Sequence, residues 1–488
     1  MAHIAEKIDF KQGSKRSMEN PDLRKALYKA TDLFRAQRAA TMAANDKWDD
    51  LRNRAREIKR HTIENLDYYL EMLEESVTRA GGIVHWARDG LEAARIITDI
   101  AHEHGVKRVV KSKSMATEEI ELNGAFDQAG IGVVETDLGE YIIQLAGERP
   151  SHIIAPAIHK TKHEISELFA EKLGIPYQDD PQGLTAAARE RLRGEFLNAD
   201  MGVSGVNFAA ADTGTIAIVE NEGNSRLTTT LPRVHVALMG MEKILPRFSD
   251  LSLFLSLLIK SATGQKLSTY ISLITGPKNE TDIDGPEEFH LVILDNGRTK
   301  ILSNPHTRES LYCLRCGACL NICPVYRQVG GHAYGGIYSG PIGAIITPQL
   351  LGVERAPDLP FASTLCGACR DVCPVIIDIP KVLLQLREQA IKSPVSIVSR
   401  RADFLERVAV RLWRFAMEHS SAYGLFTKLA YWAQLPFKSS TRSGDVLRSA
   451  PFLSGWTETR DFPLVARTTF RERWKRSLKY GGGGGGDG

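Results

Sequence analysis

Apolar residues in the first eighty positions recur at three- and four-residue steps within a highly charged stretch. Leu66, Tyr69, Leu70, Leu73 and Val77 fall on one face of a predicted helix. Asn20-Pro21-Asp22 marks the start of an earlier one. From Gly81 the pattern changes to short β-branched runs at 82–86, 106–110, 132–135, 152–155, 215–219, 234–239, 270–274 and 290–294. Helical segments such as 90–104 and 117–128 lie between several of them. This alternation predicts an α/β domain with a largely parallel sheet, closed by a turn at Asn296-Gly297.

Beyond residue 303 the pattern changes again. The segment 330–343 is too glycine-rich for a regular helix, and helical periodicity returns from Leu383. Phe404, Trp413, Phe415, Phe426 and Trp432 then give an aromatic tail in which basic residues outnumber acidic ones by about ten. These shifts divide the chain into a helical segment (1–80), an α/β domain (81–300), a cysteine-bearing domain (303–385), a basic aromatic helical region (386–480) and a flexible glycine tail (481–488).

Composition narrows the class only a little. The chain has 488 residues, 43% hydrophobic and 25% charged, as in an ordinary globular protein of roughly three domains. A net charge of +3 is too small to argue for nucleic acid. The N-terminus has no apolar signal-peptide core. The most apolar run, Leu251 to Ile259, is far short of the ~20 residues of a membrane span. The expectation is a cytoplasmic protein with no transmembrane segment. No G-x-G-x-x-G fingerprint is present, so neither NAD nor FAD is predicted.

The cysteines carry the chemistry. All seven lie in two motifs. The first reads Cys313-Leu-Arg-Cys316-Gly-Ala-Cys319-Leu-Asn-Ile-Cys323-Pro324, the second Ser363-Thr-Leu-Cys366-Gly-Ala-Cys369-Arg-Asp-Val-Cys373-Pro374. C-x2-C-x2-C-x3-C-P is the iron–sulfur ligand run whose fourth Cys serves the other cluster. Gly317 and Gly367 permit the tight wrap that points amides at sulfur, and Pro324 and Pro374 turn the chain away. The rule assigns Cys313, Cys316, Cys319 and Cys373 to one cluster and Cys323, Cys366 and Cys369 to a second, both most simply 4Fe–4S. Ser363, water, a partner's ligand or an empty corner are the candidates for the second cluster's last position; an empty corner means 3Fe–4S. Zinc is the competing assignment, but seven thiols divide poorly into two tetrahedral sites. A disulfide framework does not suit a long chain without a secretory signal.

Three stretches carry a resemblance: Lys113-Ser-Met-Ala-Thr-Glu-Glu119, Asp212-Thr-Gly-Thr-Ile216 followed by Leu231-Pro232, and the two cysteine motifs with the linking segment 330–343. With the α/β pattern before them, they resemble the lactate utilization protein B family over essentially the whole chain except the glycine tail. That family is the iron–sulfur subunit of a bacterial three-part system oxidising L-lactate to pyruvate. The resemblance implies electron transfer in a complex with two sister proteins, one cysteine-rich and heterodisulfide-reductase-like, the other a free-standing α/β subunit. It also implies an α/β domain similar to ribose-phosphate isomerase and CoA-transferases, then a helical two-cluster ferredoxin-like domain. The family is similar in having seven cysteines, so Ser363 is not a lesion of this one chain.

Other candidates are weaker. Lys113, Ser114 and Thr117 at a helix start, Thr213-Gly214-Thr215 before a strand, and Arg226 suggest a carboxylate pocket; capping and turn chemistry account for the same residues. His159 and His163, one helical turn apart, suggest a metal pair or a solvated helix face; His332, between the motifs, suggests a hydrogen bond to a sulfide, the vacant ligand position, or packing against Tyr334. The aromatic tail serves its own core or docks the sister subunits. The rival to a pure electron relay is a chain that is itself catalytic, binding a 2-hydroxy acid in the α/β domain or at an open iron corner; a regulatory iron–sulfur scaffold is a third option.

Overall fold

Four helices come first in the computed structural model, which describes residues 7–151, 156–392, 400–441, 444–447 and 462–480. They are Phe10–Met18, Pro21–Ala43, Trp48–Glu64 and Leu66–Arg79. Asn20 caps the second, accepting from the amides of Asp22 and Leu23 at 3.1 and 3.0 Å, with Pro21 just inside. In the fourth, Leu66, Leu70, Leu73 and Val77 are buried and Tyr69 is half-buried, as the periodicity predicts.

Ten strands follow: β1 (Ile83–Ala87), β2 (Arg108–Lys111), β3 (Gly132–Glu135), β4 (Met201–Gly205), β5 (Phe208–Ala210), β6 (Thr215–Glu220), β7 (Val234–Gly240), β8 (Ile244–Leu245), β9 (Tyr270–Ile274) and β10 (Glu288–Leu294). Six of them form one sheet in the order β1-β10-β7-β4-β2-β3, parallel at every pairing. Every residue of β7 is buried, as befits a strand covered on both faces. The others form a mixed sheet, β8-β5-β6-β9. The expected strand over 152–155 lies outside the described residues, as does the glycine tail.

The short strands β5 and β8 add to those expected, and three further local features depart from the sequence pattern, each for a physical reason. First, β4 was not expected, because Gly202 and Gly205 weaken its strand signal. Glycine is required there: a Cβ on Gly202 would stand 1.9 Å from the Thr228 carbonyl oxygen, where the helix Asn224–Thr230 packs onto the strand. Second, the expected helix 117–128 is two, Met115–Glu119 and Leu122–Gln128, broken where Glu121 turns left-handed (φ 52°). Third, the glycine-rich segment holds only a 3₁₀ turn, His332–Tyr334, until the helix Gly340–Leu351 starts inside it with Pro341 in its first turn. The apolar run of residues 251–259 is a core helix, Leu251–Thr263, whose Phe254 ring lies 5.6 Å from Phe208. Among the described residues no helix is long and apolar enough to cross a membrane.

The described residues up to 392 form one compact unit; those from 400 onward form another. The second unit has helices Arg400–Glu418, Ser420–Gln434 and Phe470–Tyr480. It adds a three-stranded antiparallel sheet, Lys438–Thr441, Gly444–Leu447 and Phe462–Pro463, to the helices expected there.

Gly202→Ala should lower stability by about 1–3 kcal/mol, because a backbone oxygen blocks the new methyl. Gly194→Ala, in the interior of the helix Pro181–Leu197 with open space around the new methyl, should raise it by about 0.5–1 kcal/mol. Denaturant unfolding of both variants checks the pair, and equal effects would show that the β4 contact does not constrain the sheet.

Candidate metal centre

The two cysteine motifs fold alike. A 3₁₀ turn leads in, Arg308–Tyr312 and then Leu359–Phe361; a short helix leads out, Ala318–Ile322 and then Ala368–Asp371. Between them the backbone turns left-handed at Arg315 (φ 61°) and Gly317 (φ 75°), and again at Leu365 (φ 55°) and Gly367 (φ 84°). Left-handed backbone costs a side-chain-bearing residue about 1–2 kcal/mol. Its recurrence at Arg315 and Leu365 therefore marks a shape that the wrap requires. That shape aims amides at sulfur. Arg315 N–H donates to Cys313 Sγ at 3.3 Å, Tyr326 N–H to Cys323 Sγ at 3.5 Å and Ile377 N–H to Cys373 Sγ at 3.4 Å. In the second motif the Leu365 amide donates instead to Ser363 Oγ at 3.1 Å. Ser363 thus takes the amide contact that the repeat gives to Cys313.

The thiols form no disulfide and fall into two groups. Cys313, Cys316, Cys319 and Cys373 are all within electrostatic reach of one another, and so are Cys323, Cys366 and Cys369. Cys319 also senses Cys369, so the groups adjoin. Burial pushes Cys316 and Cys369 up to about 12 and Cys373 to about 11, and raises Cys319 and Cys323 too. Such thiols keep their protons in the metal-free chain, and a metal that takes them as thiolates must displace those protons. Soft sulfur donors in a four and a three, with amides directed at them, fit an iron–sulfur centre at each group.

The groups differ in their surroundings. Around the first stand Arg38, which senses Cys316 and Cys373, Arg52 beside Cys373, and Lys59, Lys243 and Arg315, all sensing Cys313. No basic side chain is among the principal influences on Cys323 or Cys369, and Cys366 is exposed. The N-terminal helices deliver part of this charge. Arg38 donates to the Val372 carbonyl (2.8 Å), Arg52 to those of Asp371 and Cys373 (2.7 and 3.0 Å), and Arg56 to that of Ile376.

A buried ion network joins the first motif to the main sheet. Arg298, 2% exposed just beyond β10, donates to both oxygens of Glu119 (2.8 and 2.9 Å) and to Glu242 (2.6 Å). Glu242 also accepts from Arg315 (3.3 Å), whose guanidinium lies 4.3 Å from the centre of the Tyr338 ring. Tyr338 closes the circuit, donating its hydroxyl to Glu119 at 2.5 Å. Burial would raise both carboxyls, but Arg298 holds Glu119 below its ordinary value, and Arg298 with Arg315 holds Glu242 at about 2. Burial lowers Lys59 to about 7 and Lys243 to about 8. Sequence reasoning missed this network. Glu119, Arg315 and Tyr338 each lie in a stretch singled out in the sequence, but no role pointed from one to another.

The other candidates resolve into ordinary structure. Ser114 caps its helix by accepting from the Thr117 amide at 3.3 Å, and Lys113 pairs with Asp137 at 2.9 Å. Thr213 donates to Thr215, which meets Thr275, and the Gly214 turn lies against Val77. Arg226 is exposed. His159 precedes the helix Lys162–Leu173, so it does not share a turn with His163; it binds Glu148 at 2.9 Å, while His163 meets Tyr177 at 2.9 Å. His332 contacts the Arg149 carbonyl oxygen (2.9 Å) and the His159 ring. Tyr334 packs instead on Phe10 and Tyr326. Trp413, Phe415, Phe426 and Trp432 are exposed, and the side chain of Phe404 lies outside the described residues.

Residues 70–294 match the model of the LUD domain, residues 309–377 that of a 4Fe-4S dicluster domain, and residues 385–479 that of the lactate utilisation protein B C-terminal region. The lactate utilization protein B of Bacillus thuringiensis (strain Al Hakam) is 45% identical over 435 residues, 89% of this chain and 90% of its own. That of Bacillus cereus (strain AH187) gives the same figures. Among solved structures, a DUF162 family protein from Deinococcus radiodurans is 13% identical, covering 47% of this chain and 98% of its own, at a TM-score of 0.25.

Arg298→Met strips two buried carboxylates of their shared counterion and should cost about 3–5 kcal/mol at neutral pH. In the native protein, Glu242 contributes stability that is present above its unfolded value of 4.5 and lost as pH falls toward about 2. Without Arg298 the carboxyls bind protons more readily in the folded state, so the deficit should shrink on acidification. Denaturant unfolding at neutral and mildly acidic pH measures it; a deficit that is absent or independent of pH would show that the ion pairs do not hold this junction.

Proposed function

The chain belongs to the lactate utilization protein B family, and from that premise we propose that it is the iron–sulfur electron-transfer subunit of a complex that oxidises L-lactate to pyruvate, so that lactate serves as a carbon source. The observation that carries the proposal is the division of seven thiols into a four and a three, with Cys373 and Cys323 each crossing to the other motif's group. We assign Cys313, Cys316, Cys319 and Cys373 to one 4Fe–4S cluster and Cys323, Cys366 and Cys369 to a second. The last position of the second falls to Ser363, to an outside ligand, or to none, the last case giving 3Fe–4S. Bound there, the clusters supply one-electron transfer between a lactate-oxidising centre and an acceptor.

The chain's own part is to hold and bias these groups. Arg38, Arg52, Arg315, Lys59 and Lys243 favour added negative charge at the first group over the second. The exposed Cys366 leaves the second group open to solvent or a partner. In functional terms, 81–300 is a domain of ribose-phosphate-isomerase and CoA-transferase type braced by helices within 1–80, 303–385 carries the clusters and 386–480 docks partners. The partners are the cysteine-rich and the free-standing α/β sister proteins, met in the cytoplasm. The exposed Trp413, Phe415, Phe426 and Trp432 supply the docking face.

Anaerobically purified chain, given L-lactate and an artificial electron acceptor, should show no turnover alone and should support turnover once both sister proteins are added. Turnover by the isolated chain would overthrow the relay in favour of a catalytic α/β domain or open iron corner.

A further inference from the structure

The edge of the main sheet where β10 begins lies at the opposite end of that strand from Arg298, and it gathers histidines around one carboxylate. Glu288 and His290 come from the start of β10, and His104 from the end of the helix Gly90–Glu103. His104 Nε2 and His290 Nε2 stand 3.2 and 3.3 Å from the same Glu288 oxygen, Oε2. The three ligand atoms all lie within 4.8 Å of one another. Zinc bonds of about 2.0–2.1 Å in a tetrahedron place neighbouring ligand atoms about 3.3 Å apart. Two of the three edges therefore already have that length, and a small rotation of the half-buried His104 closes the third.

The second observation is the state of His290. It is 4% exposed, and among the described residues its Nε2 makes no well-aligned hydrogen bond, standing in ion-pair contact with Glu288 Oε2 at 3.3 Å. On its other side, His290 Nδ1 lies 3.0 Å from His85 Nε2. In the tautomer whose Nδ1–H donates to His85, the Nε2 lone pair faces the carboxylate. A lone pair facing a carboxylate oxygen is repulsive unless a cation lies between them.

We propose that His104, Glu288 and His290 bind a divalent transition-metal ion of the zinc class, oriented through His85, at a site separate from the cysteines. Two imidazoles and one carboxylate are a borderline donor set suited to zinc, with a fourth position left for water. The ion would tie the end of the helix Gly90–Glu103 to the start of β10.

The test uses the full chain with its iron–sulfur content intact, dialysed anaerobically against micromolar free zinc. Elemental analysis should find one bound zinc per chain, and zinc-edge X-ray absorption should show a shell of nitrogen and oxygen without sulfur. His104→Ala and Glu288→Gln, both at partly exposed positions, should lose the zinc while keeping the iron. His85→Phe should weaken binding by about 10–100-fold. Absence of zinc from the native chain, a sulfur-containing shell, or zinc retained in both ligand variants would each overturn the proposal; the absorption result on the native chain stands even if a variant folds poorly.

Discussion

Cys373 belongs by sequence to the second motif and by position to the first group of thiols, among Cys313, Cys316 and Cys319. Cys323 makes the reverse exchange, lying with Cys366 and Cys369. Neither group can assemble unless both motifs are docked against each other in one register. Much of the remaining structure serves that requirement. Arg38, Arg52 and Arg56, from helices at the start of the chain, hold the carbonyls of Val372, Asp371, Cys373 and Ile376. The N-terminal helices are thus a brace for the second motif, more than 300 residues away along the chain.

Charge gives the exchange a direction. Five basic side chains surround the first group, Lys59 and Lys243 among them with their charge weakened by burial, whereas the principal influences on Cys323 and Cys369 include none. The same Arg315 that donates its amide to Cys313 reaches Glu242, and through Arg298 and Glu119 the contact continues to Tyr338. Burying two carboxylates and two guanidiniums is costly unless they are paired; here both carboxylates and Arg298 are paired, while Arg315 reaches Glu242 and the Tyr338 ring but leaves its Nη1 without a hydrogen-bond partner among the described residues. The end of β10 and the first motif are therefore joined by one buried ion network, which orients Arg315 and with it the left-handed turn at the first cysteines. Ser363 shows the contrast: its hydroxyl keeps the amide contact but offers oxygen where the first motif offers sulfur.

The cysteine pattern was legible in the sequence because ligand spacing is a local, covalent constraint. So were Asn20 as a cap, β3 and β9 at their full lengths, and the parallel character of the sheet, all of which depend on neighbours a few residues apart. What escaped depends on contacts between distant segments. β4, inside the sheet between β7 and β2, hid because Gly202 answers to Thr228 rather than to strand propensity. The helix break falls at Glu121, whereas the punctuating pair Asn123-Gly124 lies inside the helix that follows, so the sequence did not place the break. Glu119, Glu242 and Arg298 look like surface charges until the fold brings them together. The two-histidine pattern at His159 and His163 misled, because only His163 is on the helix.

The most direct test of the account is low-temperature electron paramagnetic resonance, with iron and sulfide counts, on Cys373→Ala beside Cys316→Ala and Cys369→Ala. The account predicts that Cys373→Ala gives the spectrum of Cys316→Ala, losing the four-thiolate centre while the other signal persists. A spectrum matching Cys369→Ala, the variant of its own motif, would contradict the exchange of ligands on which the account rests.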